Sequence, residues 1–401
     1  MVLFAFLMFI FVVFLASRFK NKDYDDFEPN LSVIIPTFNE EKNIKQCLDS
    51  VYNSTYPKEK MEVFVVDDGS TDSTVEIANA FKEVKVLKQD HKGKSEALNL
   101  GTSKAKYDFI LGIDADTFIE KECIKEIVKP LKNREVGATT GVSNVRNKNS
   151  IIGIFQNIEY HYNNLIRNSF SKLFNNGIWF FGALACYRKS TLEEIGFFKI
   201  DTLTEDMDTA LEIKKAGYTT INVHNATGST FVPKTIKELY HQRARWWMGV
   251  LQSLVKNRKL FSYKASPAIL FLFINQFWWT FYSFLSLPAI IYQVNYWLPY
   301  NTGSFLSLSG YLFRWFSLLG PVYVIYKIPV WGLSFYSFFG VLSGIISAFL
   351  IIVSIKMFKD KLNFKNIFAI FFYFPYTIVL NMIVLLSLLR FRFWENKFFI
   401  R

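Results

Sequence analysis

The charged residues of this chain are segregated. Most of them lie between residues 18 and 264, and long apolar runs flank that block on both sides. The 401 residues are 51% hydrophobic, yet 20% are charged. A uniform mixture of this composition would be unusual for a soluble enzyme, whereas segregation is typical of chains that cross a membrane. The pattern therefore predicts a polar domain held between membrane segments.

The first apolar run, residues 1–17, has no charged side chain. A helix of this length covers roughly 25 Å, slightly less than a hydrocarbon core of ~30 Å. A cleaved signal peptide has positive charges before its apolar run, but here Arg18, Lys20 and Lys22 follow it. We therefore interpret the run as an uncleaved anchor, with the N-terminus outside and the next domain in the cytoplasm.

The second apolar block covers residues 265–401. Three of its stretches have spanning length: residues 268–292, 330–353 and 367–389. A fourth, residues 304–325, is interrupted by Arg314 and is expected to span, to re-enter or to lie at the interface. Whether the basic segments 356–365 and 390–401 both lie on the cytoplasmic side depends on whether residues 304–325 cross the membrane. The sequence leaves three or four spans open.

The net charge of +12 would suit a nucleic-acid partner. Much of the basic excess, however, sits beside the apolar stretches, where it sets orientation and meets anionic headgroups. We therefore expect no nucleic-acid partner. The three cysteines, Cys47, Cys123 and Cys186, have no metal-ligand spacing and are expected to be reduced and structural.

Strand and helix patterns alternate in the polar domain from residue 31 onward. Four strands are predicted, at residues 31–36, 63–66, 84–87 and 109–113. The helices predicted between them lie at residues 41–52, 73–81 and 94–104. This alternation is typical of a parallel sheet with right-handed crossovers, in which ligands bind beyond the carboxyl ends of the strands. Polar residues just after a strand are therefore candidate site residues.

Three strand ends carry acidic or polar groups: residues 36–40 (PTFNE), 67–70 (DDGS) and 114–116 (DAD). Asp114 and Asp116 can both approach Mg²⁺ or Mn²⁺, which prefer oxygen ligands and often bind substrate phosphates. A single acidic pair after a strand more often only solvates a turn, but three aligned strand ends favour a metal and phosphate site. Gly93 and Lys94 open the third helix, whose N-terminus suits a diphosphate.

Two segments of the second half are expected to complete the site. Residues 201–208 (DTLTEDMD) lead into a helix, where Thr204 is a plausible N-cap and the dipole favours acidic residues. A helix start also places a carboxylate rigidly enough to act as a base. Residues 177–186 (GIWFFGALAC) are typical of a buried strand, and residues 151–173 have the character of an interfacial helix.

A helix is predicted over residues 234–256, because residues 235–238 match a capping box. One face of this helix carries Gln242, Arg245 and Trp246. Arg243 adds a second guanidinium, a group that suits phosphate, and an indole face can stack on a sugar ring. An amphipathic helix at the membrane surface is the alternative interpretation, and both can hold together.

Four motifs in this order resemble those of family 2 membrane glycosyltransferases, which include hyaluronan, chitin, cellulose and poly-N-acetylglucosamine synthases. The motifs are Asp67-Asp68-Gly69, Asp114-Ala115-Asp116, Thr204-Glu205-Asp206 and Gln242-Arg243-Ala244-Arg245-Trp246. The resemblance covers about residues 31–260, together with the placement of the apolar stretches. It implies an α/β catalytic domain of GT-A fold, α-helical transmembrane segments and an inverting single displacement.

Carried over by motif, the resemblance implies a role for individual residues. Asp206 is the general base, and Asp114 and Asp116 hold Mg²⁺ or Mn²⁺. The implied donor-binding residues are Thr37, Glu40, Asp67, Asp68, Lys94, Asp114, Gln242, Arg243 and Arg245. The implied acceptor-binding residues are Phe181, Gly182, Glu205 and Trp246. Residues 180–183 (FFGA) only partly match the Phe-Phe-Cys-Gly-Ser motif of cellulose synthases, which leaves the acceptor open.

The predicted organisation has five parts: an anchor (1–17), a linker (18–30), a cytoplasmic GT-A domain (31–232), an interfacial helix (233–264) and a transmembrane region (265–401). The expected enzyme is a multi-pass protein of the cell membrane. It transfers N-acetylglucosamine or glucose from a UDP-sugar to a growing β-linked polysaccharide that passes through the membrane. The alternative is transfer of one sugar to a membrane lipid. A non-catalytic transporter or receptor would not need the acidic strand ends.

Overall fold

An eight-stranded sheet forms the centre of the polar domain in the computed structural model. The structure describes residues 2–20, 23–297 and 304–390. Within these ranges it does not describe the side chains of residues 292–297, 314–316, 331 and 336. The strands are β1 (Leu31–Thr37), β2 (Met61–Asp67), β3 (Val84–Lys88), β4 (Phe109–Ile113), β5 (Thr117–Ile119), β6 (Val136–Val145), β7 (Leu184–Arg188) and β8 (Thr219–Thr230). Their order across the sheet is β3-β2-β1-β4-β7-β6-β8-β5.

The first half of the sheet is parallel, as predicted. β1 pairs in parallel with β2 and β4, and β2 pairs in parallel with β3. The intervening helices are α2 (Ile44–Tyr52), α3 (Thr74–Asn79) and α4 (Lys94–Lys104). β1, β2 and β4 are largely apolar because helices or other chain segments cover both of their faces, whereas the edge strand β3 includes exposed lysines. The carboxyl ends of β1, β2 and β4 therefore meet at one edge, where the three polar motifs follow.

The second half of the sheet is mixed. β7 runs antiparallel to β4 and β6, β8 is parallel to β6, and β5 closes the edge antiparallel to β8. Within residues 177–186, predicted as one buried strand, only the end from Leu184 is strand, and the preceding residues form a loop that leads to the same sheet edge. The helices of this half are α5 (Cys123–Val128), α7 (Lys189–Ile195) and α8 (Glu205–Lys215). All three cysteines are buried and free.

Helix α6 (Ile151–Phe174) lies between the sheet and the apolar helices. It begins at Ser150, whose side chain accepts from the Gly153 N–H, and it ends at Asn175 in the left-handed conformation. Most of its side chains are buried, including polar ones such as Glu159, His161 and Arg167. The segment is therefore covered by protein on most of its surface, and its interfacial location stays a prediction.

Helix α9 (Ile236–Lys256) begins at Thr235, as predicted. The Thr235 side chain accepts from the Glu238 N–H at 3.2 Å, but Glu238 accepts from the Lys234 N–H at 2.8 Å, one residue before the position of a capping box. The helix packs on α8 so closely that a Cβ at Gly249 would lie 2.6 Å from the Thr204 side chain. The start of α8 is thus held against α9.

The apolar helices are α1 (Val2–Arg18), α10 (Pro267–Trp297), α11 (Phe305–Phe316), α12 (Gly320–Trp331), α13 (Phe335–Met357), α14 (Phe364–Phe371) and α15 (Tyr373–Arg390). Three segments among the described residues are long and apolar enough to cross a membrane: Pro267–Ile291, Ser337–Met357 and Tyr373–Arg390. α1 is a shorter apolar helix that packs against α6 and α13.

Three of the predicted apolar stretches are interrupted in the structure. Residues 304–325 form parts of two helices, α11 and α12, that are separated at Ser317. Residues 330–353 are broken at Gly332, whose φ of +75° ends α12 before α13 begins. Residues 367–389 cross the junction between α14 and α15. Lys22, the Arg314 side chain and residues 391–401 of the basic tail lie outside the described residues.

Candidate active site

The loops after β1 and β2 are braced against each other. Asn39, in the left-handed region at φ 56°, donates its backbone N–H to Ser70 Oγ at 2.9 Å and accepts at Oδ1 from the Thr71 N–H at 2.9 Å. The Glu40 N–H donates to Thr74 Oγ1 at 2.7 Å. Two of the three polar strand ends therefore form one rigid unit.

Thr37, Glu40 and Asp67 lie at this braced edge. Thr37 is buried and donates its hydroxyl to the Val66 carbonyl at 3.4 Å. Asp67 is also buried, and its Oδ1 accepts from the Ser70 N–H at 3.2 Å. Burial raises the pKa of Glu40, and the charge of Asp114 raises it further against a hydrogen bond from Asn43. Glu40 is thus electrostatically coupled to the DAD motif.

Asp68 holds the loop that leads into α4. Its Oδ1 accepts from the Lys92 N–H at 2.8 Å and from the Gln89 amide at 2.6 Å. Its Oδ2 accepts from the Gly93 N–H at 2.9 Å and lies 2.8 Å from His91 Nδ1. Gly93 has a φ of +95°, which favours glycine. The Asp68 carboxylate, predicted to bind the donor, is therefore engaged with the loop that positions Lys94.

Lys94 joins the DAD and TED motifs. Its Nζ lies 2.6 Å from Asp114 Oδ1 and 3.0 Å from Glu205 Oε1. Burial alone would lower the pKa of Lys94, but Asp114, Glu205 and Asp206 together raise it well above the usual value, so the ammonium stays charged. Segments separated by about a hundred residues thus meet at one cation.

Asp114 and Asp116 fit the divalent cation that the resemblance implies. Burial raises the pKa of Asp116 to about 7, and the charges of Asp114 and Glu40 contribute. A bound cation would relieve this crowding of negative charge, and carboxylates are hard oxygen ligands. Within the described residues no group of three or more His, Cys, Asp or Glu side chains could hold a metal. The two aspartates would therefore need water or phosphate oxygens to complete the coordination.

Asp206 occupies the first turn of α8, and its orientation is set by the backbone. Its Oδ2 accepts from the Gly182 N–H at 2.8 Å, and its Oδ1 accepts from the Met207 N–H at 2.7 Å. Burial raises the pKa of Asp206 to about 6, and the charge of Glu205 adds to that rise. A Cβ at residue 182 would lie 2.4 Å from the Asp206 Cβ, so only glycine permits this approach.

A buried arginine supports the loop around Gly182. Arg167 donates to Thr140 Oγ1 at 3.3 Å and to the Gly141 carbonyl at 3.1 Å, and its guanidinium lies 5.7 Å from the Phe181 ring centroid. The Thr140 hydroxyl donates to the Phe181 carbonyl at 2.7 Å. The motif analysis missed Arg167 and Thr140. Polar residues in an otherwise apolar α6 were the available signal, but they do not show which strand they contact.

The predicted site residues of α9 differ in their partners: Arg243 is paired with an acidic side chain of α6, whereas among the described residues Arg245 and Gln242 are not. Arg245 donates to the Leu203 carbonyl at 3.4 Å. Burial raises the pKa of Glu205, but the charge and hydrogen bond of Lys94, and then the charge of Arg245, lower it below its usual value. Gln242 has a buried Oε1 without a hydrogen-bond partner. Arg243, predicted at the diphosphate, is instead paired with Glu159 at 3.0 Å and lies against the Trp246 ring.

The structure thus brings together most of the predicted site residues. Lys94, Asp114 and Glu205 are in direct contact, and Gly182 contacts Asp206. Burial and then the charges of Asp114 and Glu40 raise the pKa of Asp116, and the charges of Lys94 and Arg245 lower that of Glu205 against the effect of burial, so these residues belong to the same group. Arg243, Asp68, Asp67 and Thr37 have other partners. The cleft is therefore a set of carboxylates around one cation, at the carboxyl ends of parallel strands.

Residues 32–196 match the family described as Glycosyl transferase family 2. The chain is a glycosyltransferase, and these residues form its family 2 domain. One relative is the poly-beta-1,6-N-acetyl-D-glucosamine synthase of Staphylococcus epidermidis, 29% identical over 356 residues that cover 82% of this chain and 84% of the relative. The synthase of the same name from Staphylococcus aureus strain COL is 30% identical over 239 residues, 58% of this chain and 57% of that relative.

A solved structure confirms the expected GT-A fold of this glycosyltransferase. The mannosyltransferase PcManGT from Pyrobaculum calidifontis, in complex with GDP-Man and Mn²⁺, is similar with a TM-score of 0.57 and 24% identity. The similarity covers 87% of this chain and 99% of that one. At this level of identity the likeness establishes the fold, and the chemistry of this chain has to be argued from its own residues.

Proposed function

We propose that this enzyme transfers N-acetylglucosamine from a UDP-sugar to the end of a growing β-linked polysaccharide, with inversion at the anomeric carbon. The observation that carries the proposal is the Lys94 bridge between Asp114 and Glu205, because it unites a donor motif and a base motif in one cleft. The names of the two synthase relatives favour N-acetylglucosamine over glucose.

Asp206 is the proposed general base. It takes the proton of the acceptor hydroxyl as that oxygen bonds to the anomeric carbon and the bond from this carbon to the diphosphate oxygen breaks. UDP leaves, and the proton remains on Asp206. A pKa of about 6 is near the pH of a cytoplasmic reaction, as an efficient base requires. The N–H groups of Gly182 and Met207 hold the carboxylate in place.

Positive charge in the cleft is proposed to stabilise the departing diphosphate. Lys94 and Arg245 supply cationic groups, and the Gln242 amide supplies N–H groups that could donate to a phosphate oxygen. Asp114 and Asp116 would hold Mg²⁺ or Mn²⁺, which when bound neutralises charge on a diphosphate. Preorganised charge of this kind is typically the largest contribution to such a reaction, and one contact is worth a few kcal/mol.

The proposed topology places the catalytic domain (31–232) in the cytoplasm. Residues 1–17 anchor it, residues 18–30 link it to the anchor, and α9 with the residues up to 264 lies at the membrane surface. The product is proposed to leave through the helices of residues 265–401. Three segments of that region meet the length and apolarity of a span, which supports a multi-pass arrangement.

Transfer of a single sugar to a membrane lipid is the second candidate. An apolar cavity of about 630 Å³ between α9 and α10 favours it, because such a cavity suits an acyl chain. Leu254, Phe273 and Phe277 are among the residues that line it. The size of the product separates the two functions.

The decisive experiment uses the full chain in lipid nanodiscs with labelled UDP-sugars and Mg²⁺ or Mn²⁺. We expect UDP release that a chelator abolishes, a preference for UDP-N-acetylglucosamine and a polymeric product. Asp206→Asn should lower turnover by at least ~100-fold while UDP binding persists. Glu212→Gln, near the C-terminal end of the same helix and paired with Lys215, is the matched control and should retain activity. Near-normal turnover of Asp206→Asn, or a single glycolipid as product, would contradict the proposal.

A further inference from the structure

Three helices meet at the Glu159 carboxylate. Arg243 on α9 places its Nη2 atom 3.0 Å from Glu159 Oε2, and the Tyr376 hydroxyl on α15 donates to the same oxygen at 2.6 Å. Arg243 also donates to Gln156 Oε1 at 3.4 Å. Glu159 is 9% exposed and Tyr376 is 6% exposed. The group therefore joins the catalytic domain to an apolar helix away from water.

The pairing is expected to persist when substrates bind. A buried carboxylate that loses its cation is left with uncompensated charge, which is strongly unfavourable. Arg243 is equally buried, and within the described residues Glu159 is the only acidic side chain in a salt bridge with it. A diphosphate would have to compete with a preformed, desolvated ion pair for this guanidinium. Arg245, which has no such partner among the described acidic side chains, is the more available cation on this helix.

Arg243 in turn fixes the position of Trp246. The guanidinium carbon lies 4.5 Å from the centroid of the Trp246 ring, within the range of a cation–π contact. The indole also packs against a small apolar cluster of Val145, Tyr160 and Val232. The guanidinium and this cluster thus set the orientation of the indole.

We propose that Glu159, Arg243 and Tyr376 are positioning residues that fix Trp246, and with it the acceptor sugar, relative to α15. The inference rests on the proposed function and on the acceptor-binding role that the family resemblance implies for Trp246. α15 is one of the three segments long enough to cross a membrane. The unit therefore ties the position of a membrane helix to the place where the acceptor sugar lies.

Tyr376→Phe tests the positioning unit of Glu159, Arg243 and Tyr376 with the least disturbance, because it removes one hydroxyl and keeps the ring. We expect the KM for a β-1,6-linked N-acetylglucosamine oligomer to rise roughly tenfold, the size expected for one hydrogen bond to a charged group. The KM for UDP-N-acetylglucosamine should stay within about twofold, because the donor site does not contain this bond. Initial rates of labelled polymer formation by the full chain in nanodiscs provide both constants.

Two further variants separate positioning from general stability. Tyr373→Phe is the matched control, since Tyr373 lies on the same helix but donates no hydrogen bond to Glu159 among the described contacts. It should leave both constants unchanged. Arg243→Lys retains a cation for Glu159 but loses the planar group on the indole. It should raise the KM for the oligomer as Tyr376→Phe does, and adding Tyr376→Phe to Trp246→Phe should have little further effect.

The outcomes are distinguishable. If the unaltered enzyme does not elongate the oligomer with UDP-N-acetylglucosamine, the proposed function is refuted, and so is the inference that rests on it. If elongation occurs but Tyr376→Phe changes neither constant, or raises donor and acceptor KM equally, the positioning unit is refuted while the function stands. Equal effects of Tyr373→Phe and Tyr376→Phe would likewise refute it, because the effect would then belong to the helix and not to the hydroxyl.

Discussion

A carboxyl that accepts a proton during catalysis works best when its pKa lies near the operating pH. Burial, followed by the charge of Glu205, raises the pKa of Asp206 to about 6, while Lys94 and two backbone N–H groups limit the rise. Asp116, raised to about 7, titrates in the same range but belongs to the proposed cation site. Saturating divalent cation would keep Asp116 ionised and leave the proposed base as the group that responds to acid.

The pH profile is therefore a residue-level prediction. In saturating Mg²⁺ and donor, kcat should fall as the pH is lowered through about 6, because protonated Asp206 cannot accept the acceptor's proton. An aspartate at its ordinary pKa would keep kcat constant until about pH 4. Rates of UDP release between about pH 5 and pH 8 measure this. A flat kcat down to pH 5, with activity regained on return to neutral pH, would exclude Asp206 as the base.

Some residue roles could not be predicted because they depend on contacts between distant segments. Arg243 shares a motif with Arg245, yet its partner Glu159 is 84 positions away in the chain. The requirement for glycine at residue 182 comes from an approach of 2.4 Å to Asp206, which no local pattern reveals. The motif residues Lys94, Asp114 and Glu205, by contrast, do meet, because each directly follows a strand or opens a helix at one sheet edge.

At the scale of elements, α6 connects the active-site loop to the apolar helices. Arg167 near its C-terminal end supports the loop of Phe181. Glu159 contacts Tyr376 on α15, and His161 contacts Asp360 in the turn between α13 and α14. One rigid helix thus makes polar contacts with two membrane-side segments and with the sheet, which predicts that its junctions contribute to stability.

Asp360→Asn tests this junction. The Asp360 Oδ2 atom accepts from Lys148 at 2.8 Å and from Asn157 at 2.9 Å, and it lies 3.0 Å from His161 Nε2. Loss of its charge should lower the thermal midpoint of the detergent-purified enzyme by roughly 2–6 °C. Asp25→Asn is the control, because the Asp25 pair with Lys132 is exposed and such pairs contribute little. Equal midpoints for both variants would show that the junction is not stabilising.

Periodicity and capping patterns correctly predicted those strands and helices that are determined by residues close together in the chain. The four parallel strands and the Thr235 start of α9 are where periodicity and capping placed them. The antiparallel pairing of β7 with β4 and β6 was not predictable, because strands far apart in the chain pair by burial of faces. The burial of the polar side chains of α6 was not predictable either, since such residues resemble a solvated face until their partners are known.

At the scale of the whole molecule, the contact between Asp360 and α6 constrains how the chain crosses a membrane. The turn between α13 and α14 lies against the catalytic domain, so both are on one side. α13 has 23 residues, and a helix of that length covers roughly 35 Å, enough for the hydrocarbon core. Leu333, exposed just before α13, should therefore lie on the opposite side.

Cysteine labelling tests this arrangement, and the three native cysteines do not interfere because all are buried. In intact cells a membrane-impermeant maleimide should label Leu333→Cys but neither Ser103→Cys in the catalytic domain nor Lys361→Cys beside Asp360. Permeabilisation should expose all three. Labelling of Ser103→Cys from outside would overturn the cytoplasmic placement. Protection of both Leu333→Cys and Lys361→Cys would mean that α13 does not cross the membrane. α13 could then not line the path proposed for the polymer.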